Sequence, residues 1–210
     1  MSDAVFPPGF FDRMDPTPDS QFYRPTRLVT HIDDRAITAV GALYAELAVH
    51  GEVLDLMTSW VSHFRSAPHR LVGLGMNTAE LHANPMLAEH VVHDLNADPI
   101  LPFADESFDD VTCCVSVDYL IHPMTVFRDV ARVLRPSGRL IITFSNRCFP
   151  TKAIQGWLDT DDEQHVKIVA AYFSGSAAFG PVRAELRTPP GTGDPLYAVW
   201  ASRRPTPSNG

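Results

Sequence analysis

Short apolar runs alternate with segments of helical periodicity along most of this 210-residue chain, and that alternation limits its fold more than any other feature. Residues 52–56 (EVLDL), 71–74 (LVGL) and 90–93 (HVVH) read as short strands, and 110–117 as a longer one. Around them the apolar spacing changes from two to three or four. Ala36, Val40, Leu43, Tyr44 and Leu47 form a helical stripe that Asp33 and Asp34 can cap, and Gly51 breaks it. Pro123 opens a second helix, 123–134, with Val126, Phe127, Val130 and Val133 on one face. A strand at 139–144, a helix at 161–173 and two last strands at 182–187 and 196–202 complete the series. Strands separated by helices imply βαβ units, hence an α/β fold with a mostly parallel sheet.

The two ends differ from this pattern. Pro7, Pro8, Pro16, Pro18 and Pro25 crowd the first stretch, which reads as an extended arm, residues 1–32, ahead of one domain, 33–203. Residues 204–210 read as a frayed tail. The start of the chain has no basic segment followed by an apolar one, and no run is long and apolar enough to span a bilayer, so a cytoplasmic location is expected. Cys113, Cys114 and Cys148 agree with a reducing compartment, and their spacing does not suggest a metal site. The formal net charge is −8 and the basic residues are scattered, which argues against nucleic acid and for a small-molecule partner.

Open α/β sheets bind ligands beyond the carboxyl ends of their strands. That rule places the chemistry at Asp55 to Ser59, Gly75 to Asn77, Asp94 to Asn96, Ser116 to His122 and Ser145 to Arg147.

One segment is more specific. Leu101-Pro102-Phe103-Ala104-Asp105-Glu106-Ser107-Phe108-Asp109 is followed by a strand, then by a helix ending Arg132-Val133-Leu134-Arg135-Pro136-Ser137-Gly138. Pro136 stops that helix and Gly138 permits the turn into the next strand. The pair resembles the "LPF-x-D-x-SFD" and "RVLKPGG" motifs of class I S-adenosylmethionine-dependent methyltransferases of the type 11 group, over roughly residues 51–144. The resemblance implies a Rossmann-like three-layer sandwich, with a seven-stranded sheet in the order 3-2-1-4-5-7-6. It implies S-adenosyl-L-methionine as cofactor and methyl transfer to a small acceptor. Phe22-Tyr23, His31-Ile32-Asp33, residues 54–63 and residues 145–153 are similar to a subgroup of that family with a glycine-poor first loop.

Two departures from the family pattern stand out. Where the family has glycines after strand one, this chain has Asp55-Leu56-Met57-Thr58-Ser59-Trp60. Where it has an acid ending strand two, this chain has Gly75, in Gly75-Met76-Asn77. Asp94 matches the family's residue near the adenine amino group. The cofactor site implied is Asp55, Met57, Thr58, Ser59, Gly75, Met76, Asn77, Asp94, Leu95, Asn96 and Ser116. The departures leave open a second reading, a non-catalytic binding or regulatory module. A nicotinamide enzyme is disfavoured because G-x-G-x-x-G is absent.

Individual residues carry paired readings. Asp55 is the N-cap of a following helix, a contact for the cofactor's methionine end, or both. Met57 and Trp60 pack on the sheet or wall the pocket. Asp118 contacts substrate or sits in a hydrogen-bonded helix entry. Tyr119, His31 and His122 are the candidates for catalysis, His31 being a base or a structural group beside the cap Asp33. Arg147 grips a substrate anion or ties down the arm, and Lys152 reads as a solvated helix residue. Phe22, Tyr23 and His31 are expected over the pocket mouth.

Overall fold

A computed structural model describes residues 6–205, apart from 189, 190 and 192. The first five arm residues and the last five of the tail lie outside the described residues. Among those described, seven strands form one sheet: β1 (Glu52–Leu56), β2 (Arg70–Gly75), β3 (Glu89–Val92), β4 (Phe108–Cys114), β5 (Leu134–Phe144), β6 (Arg183–Leu186) and β7 (Tyr197–Ser202). Their order is β3-β2-β1-β4-β5-β7-β6. All pairs are parallel except β5–β7 and β6–β7. This is the Rossmann-like arrangement implied by the sequence resemblance.

The sheet is apolar on both faces because its strands carry apolar residues at successive positions. Leu54, Leu56, Val72, Leu74, Val111, Leu140 and Ile142 point one way. They meet Val126, Phe127 and Val130 of one helix, and Val169, Tyr172 and Phe173 of another. Val53, Leu71, Ile141, Ala198 and Trp200 point the other way, onto Ala36, Val40, Leu43 and Tyr44.

Among the described residues six α-helices accompany the sheet: α1 (Asp19–Phe22), α2 (Asp34–Glu46), α3 (Thr78–Ala83), α4 (Pro123–Val133), α5 (Gln155–Leu158) and α6 (Asp162–Ser176). Asp33 caps α2 through Ala36 N, and Asp161 caps α6 in a reciprocal box with Gln164. Strand β5 begins directly after α4, and the left-handed residue in its first part is Ser137 (φ 67°), not Gly138. At the chain end, Arg203 N and Arg204 N still donate to Gly138 O and Ala178 O. No helix among the described residues is long and apolar enough to cross a membrane.

The arm is not loose. Gln155 N donates to Asp12 O (2.7 Å), Gly156 N to Phe10 O (2.9 Å) and Asp15 N to Thr151 O (2.9 Å). The Phe6 ring packs at a tilt against Tyr172 of α6, 5.6 Å between centroids, so the arm's aromatic residues extend the core.

Candidate functional site

The carboxyl ends of β1, β2 and β4 open into one cavity of about 420 Å³, within the usual range for a small-molecule site. It begins at Asp55. This side chain is buried and accepts from Thr112 Oγ1 and Ser62 Oγ, both at 2.7 Å. Burial pushes its carboxyl above the usual range. No helix follows β1: residues 57–69 are irregular, so the N-cap reading of Asp55 is corrected. Its oxygens hold the loop instead, through Ser62, which also receives Asn84 Nδ2 (3.0 Å).

The loop after β1 keeps a turn without keeping glycine. Met57 adopts φ 53°, the left-handed conformation that glycine makes easy. Thr58 N then donates to Leu74 O at 3.0 Å, which lays the loop across β2. The room comes from β2. A Cβ on Gly75 would stand 2.2 Å from Thr58 O, and one on Gly73 would stand 2.9 Å from Thr58 Cγ2. No acidic side chain fits at Gly75 for that reason.

A carboxylate reaches the same cavity from α3. Asn77 caps this helix, its Oδ1 accepting from Ala79 N and Glu80 N. Its Nδ2 donates to Tyr23 O (3.0 Å) and Arg24 O (3.2 Å), fastening the arm. Glu80 accepts from Ser59 Oγ at 2.6 Å and from Arg27 N at 2.7 Å, so it joins the β1 loop to the arm. Trp60 Nε1 adds a bond to Val29 O (3.0 Å).

The arm's other anchor lies past β3 and β5. Arg13 Nη1 donates to both carboxylate oxygens of Asp19, at 2.7 and 2.9 Å. Asn96 donates to Asp19 Oδ2 and Tyr119 O, both at 2.8 Å, and accepts from Ile121 N. Lys152 is completely buried, which corrects its reading as a solvated residue. Its Nζ donates to Thr17 O (2.6 Å) and faces Asp15 Oδ2 (3.1 Å) and Asp19 Oδ1 (3.3 Å). A buried ammonium needs such partners, and the folded arm provides them. Asp94 Oδ1 accepts from Asn96 N and Ala97 N, closing the turn after β3.

All the residues expected at a cofactor, from Asp55 through Ser116, line this cavity, as do Tyr119, His31 and Arg147. Asp118 and His122 are not among its lining residues. Asp118 is buried, one of its oxygens has no hydrogen-bond partner, and burial pushes its carboxyl up to about 8. His122 sits at the N-cap of α4. Arg147 pairs with Asp194 (2.8 Å), in the β6–β7 connection, and not with the arm. Tyr119 Oη accepts from Phe149 N (2.8 Å), and burial holds its phenol far above the ordinary range. His31 packs edge-on against Phe149 at 5.1 Å, and desolvation lowers its imidazole pKa. Of the arm residues expected over the mouth, Tyr23 and His31 line the cavity and Phe22 does not. Sequence reasoning missed Glu80 and Arg27. An acid in the first turn after a strand was the available signal for Glu80, since that turn faces the strand's carboxyl end.

Residues 54–142 match the family model described as a methyltransferase domain. A demethylmenaquinone methyltransferase of Mycobacterium sp. (strain KMS) is 44% identical over 55 residues, 24% of this chain and 24% of that protein. A malonyl-[acyl-carrier protein] O-methyltransferase of Marinomonas sp. (strain MWYL1) is 25% identical over 96 residues, 45% of this chain and 34% of that protein. The matches thus span about a quarter to a third of those relatives. Among solved structures, 1,6-didemethyltoxoflavin-N1-methyltransferase of Burkholderia thailandensis aligns with TM-score 0.57 at 18% identity, over 81% of this chain and 79% of that one. It was crystallised with 1,6-didemethyltoxoflavin and S-adenosylhomocysteine. An S-adenosylmethionine-dependent methyltransferase of Mesorhizobium loti aligns with TM-score 0.54 at 16% identity, over 80% and 100%. These likenesses are ones of fold.

Proposed function

We propose that this chain, which carries a class I S-adenosylmethionine-dependent methyltransferase domain, transfers a methyl group from that cofactor to a small acceptor held beneath the arm. The observation that carries the reading is the donor set of the cavity. Asp55, Glu80 and Asp94 bring three carboxylates to it with no cationic side chain in salt-bridge range among the described residues, a suitable setting for a cationic cofactor. Glu80 has two hydrogen bonds, whereas a carboxylate offers about four acceptor sites, so it retains capacity for a ribose diol. Asp94 uses one oxygen in its own turn and keeps the other for the adenine amino group. The left-handed Met57 preserves the backbone course that glycine supplies elsewhere.

When bound, the cofactor supplies a methyl group on a sulfonium leaving group. The chain's own part is to align, to exclude water and to manage one proton. The arm excludes water by roofing the cavity between its anchors at Asn77–Glu80 and Asn96–Lys152. His31, with its lowered pKa, is neutral at pH 7 and can accept a proton from an acceptor. Tyr119, its phenol proton tightly held, positions rather than deprotonates. The formal charge of −8 supports a small acceptor over a polyanion. The free thiols Cys113, Cys114 and Cys148 fit a reducing compartment such as the cytoplasm.

Calorimetric titration with S-adenosylmethionine and S-adenosylhomocysteine tests the proposal. Both should bind, and Asp94→Ala should weaken each by about 1–3 kcal/mol. No measurable affinity for either would leave a non-catalytic binding module in its place. Tight binding unaffected by Asp94→Ala would move the adenine to another strand end.

A further inference from the structure

We infer that the acceptor is a small aromatic carboxylate, its anion held by Arg27 and its ring laid against the aromatic wall of Tyr23, His31 and Phe149. The word acceptor rests on the transferase reading; the anion site does not.

Two arginines line the cavity. Arg147 is neutralised by Asp194. Arg27 is not: among the described residues its guanidinium has no carboxylate in salt-bridge range. It is Arg27's backbone N–H that Glu80 takes. The guanidinium donates to two carbonyls, Phe22 O at 2.9 Å and Pro25 O at 3.3 Å. A guanidinium has five N–H donors in a fixed fork, so donors remain for a ligand. Its plane is steadied from the side, with its carbon 4.7 Å from the centre of the Phe22 ring and 5.7 Å from that of Phe149. An ordered, unneutralised cation inside the cavity of a protein of net charge −8 is a specific invitation to an anion.

The surfaces beside it decide what the anion is attached to. Phe149 is the hub of the wall, with His31 at 5.1 Å edge-on and Tyr119 at 6.1 Å. Tyr23 joins it through Phe22, whose ring is 5.0 Å from Tyr23 and 5.3 Å from Phe149. Such a wall favours a flat ring over a flexible aliphatic chain. The whole cavity is about 420 Å³ and must hold the cofactor too, which restricts the acceptor to roughly one or two rings. His31 lies on the same wall, so a ring hydroxyl or ring nitrogen there has a neutral base beside it.

The experiment is equilibrium binding of 4-hydroxybenzoate, its neutral isostere 4-hydroxybenzamide and the non-aromatic cyclohexanecarboxylate. It is read by ligand-observed NMR on the full chain, with and without S-adenosylhomocysteine. We expect 4-hydroxybenzoate to bind at least tenfold more tightly than the amide and than cyclohexanecarboxylate. Arg27→Met should erase the preference for the acid, and Arg27→Lys should retain part of it. Equal binding of acid and amide, binding of neither, or a preference that survives Arg27→Met overturns the anion site. Cyclohexanecarboxylate binding as tightly as 4-hydroxybenzoate overturns the aromatic assignment. S-adenosylhomocysteine affinity, measured on the same samples, separates the two readings. If it is absent while the Arg27-dependent preference stands, the transferase reading fails and the anion site remains. If it is intact in wild type and both variants while the preference is missing, this inference alone fails. Unchanged S-adenosylhomocysteine affinity in Arg27→Met also shows that the variant is folded.

Discussion

Asp118 bears a carboxyl that burial holds at about 8, against 3.8 for an ordinary aspartate. Between those values the folded chain keeps a proton that the unfolded chain releases. The site is therefore most favourable below about pH 4, and its contribution is lost as pH rises toward 8. Asp118→Asn removes the ionisation while keeping the shape. Its stability relative to wild type should rise between pH 5 and pH 8 by on the order of a few kcal/mol, measured by urea unfolding at both pH values. A constant difference would show that Asp118 titrates normally. Glu80 makes the opposite kind of prediction, about a ligand. Glu80→Gln keeps the side-chain length and one acceptor oxygen, so the fold should hold while S-adenosylhomocysteine binding weakens by about 1–2 kcal/mol. Asp55 and Asp94 were legible in the sequence because each ends an apolar strand run. Lys152 was not, because residues 15–19, which surround it, are far away in sequence and only the folded arm brings them near.

At the scale of elements, the β1 loop and β2 form one unit, the small residues of β2 making room for the loop. The loop, residues 56–60, has no glycine, and β2 carries Gly73 and Gly75 where Thr58 lies against it. Substituting either partner should reveal the asymmetry. Gly75→Ala drives a Cβ to 2.2 Å from a backbone oxygen that no rotamer change can move. It should cost about 2–3 kcal/mol in chemical denaturation. Met57→Gly relieves a left-handed residue but removes packing and adds chain entropy, so it should stay within about 1 kcal/mol of wild type. Comparable losses in both variants would refute that asymmetry. Strands β1 to β4 were readable to within three residues, since buried parallel strands are short apolar runs, whereas β5 begins at Leu134, five residues before the expected 139. The short helix α3 was not, because Thr78–Ala83 has little apolar periodicity and is fixed by its Asn77 cap. The helix expected after β1 failed for a related reason. Its supposed cap, Asp55, points inward to Thr112 and Ser62, leaving the loop to be held from within.

For the whole molecule, the question is whether the arm is a wall or a door. Its Pro-rich sequence predicts an extended arm, whereas the described part turns at 8–11 and forms α1, and its anchors, which pair residues 10–27 with positions from 77 to 156, were not legible. The deepest anchor is the cluster of Arg13, Asp15, Asp19 and Lys152, where two cations face the buried Asp19 and the partly exposed Asp15. Removing one member of such a cluster costs more than its net stabilising effect, because the remaining charges stay buried without their partner. Lys152→Met fits the same space and leaves Asp19 with Arg13, and Asp15 without a salt-bridge partner among the described residues. It should lower global stability by about 3 kcal/mol. It should also expose the arm: limited trypsin digestion after Arg13 and Arg27 should run at least tenfold faster than in wild type. If the arm is a wall, S-adenosylhomocysteine should slow that cutting in wild type and partly restore protection in the variant, since the ligand contacts a site the arm helps to close. Cutting that is fast in both proteins, with or without ligand, would make the arm an appendage and remove the roof from the proposed reaction chamber.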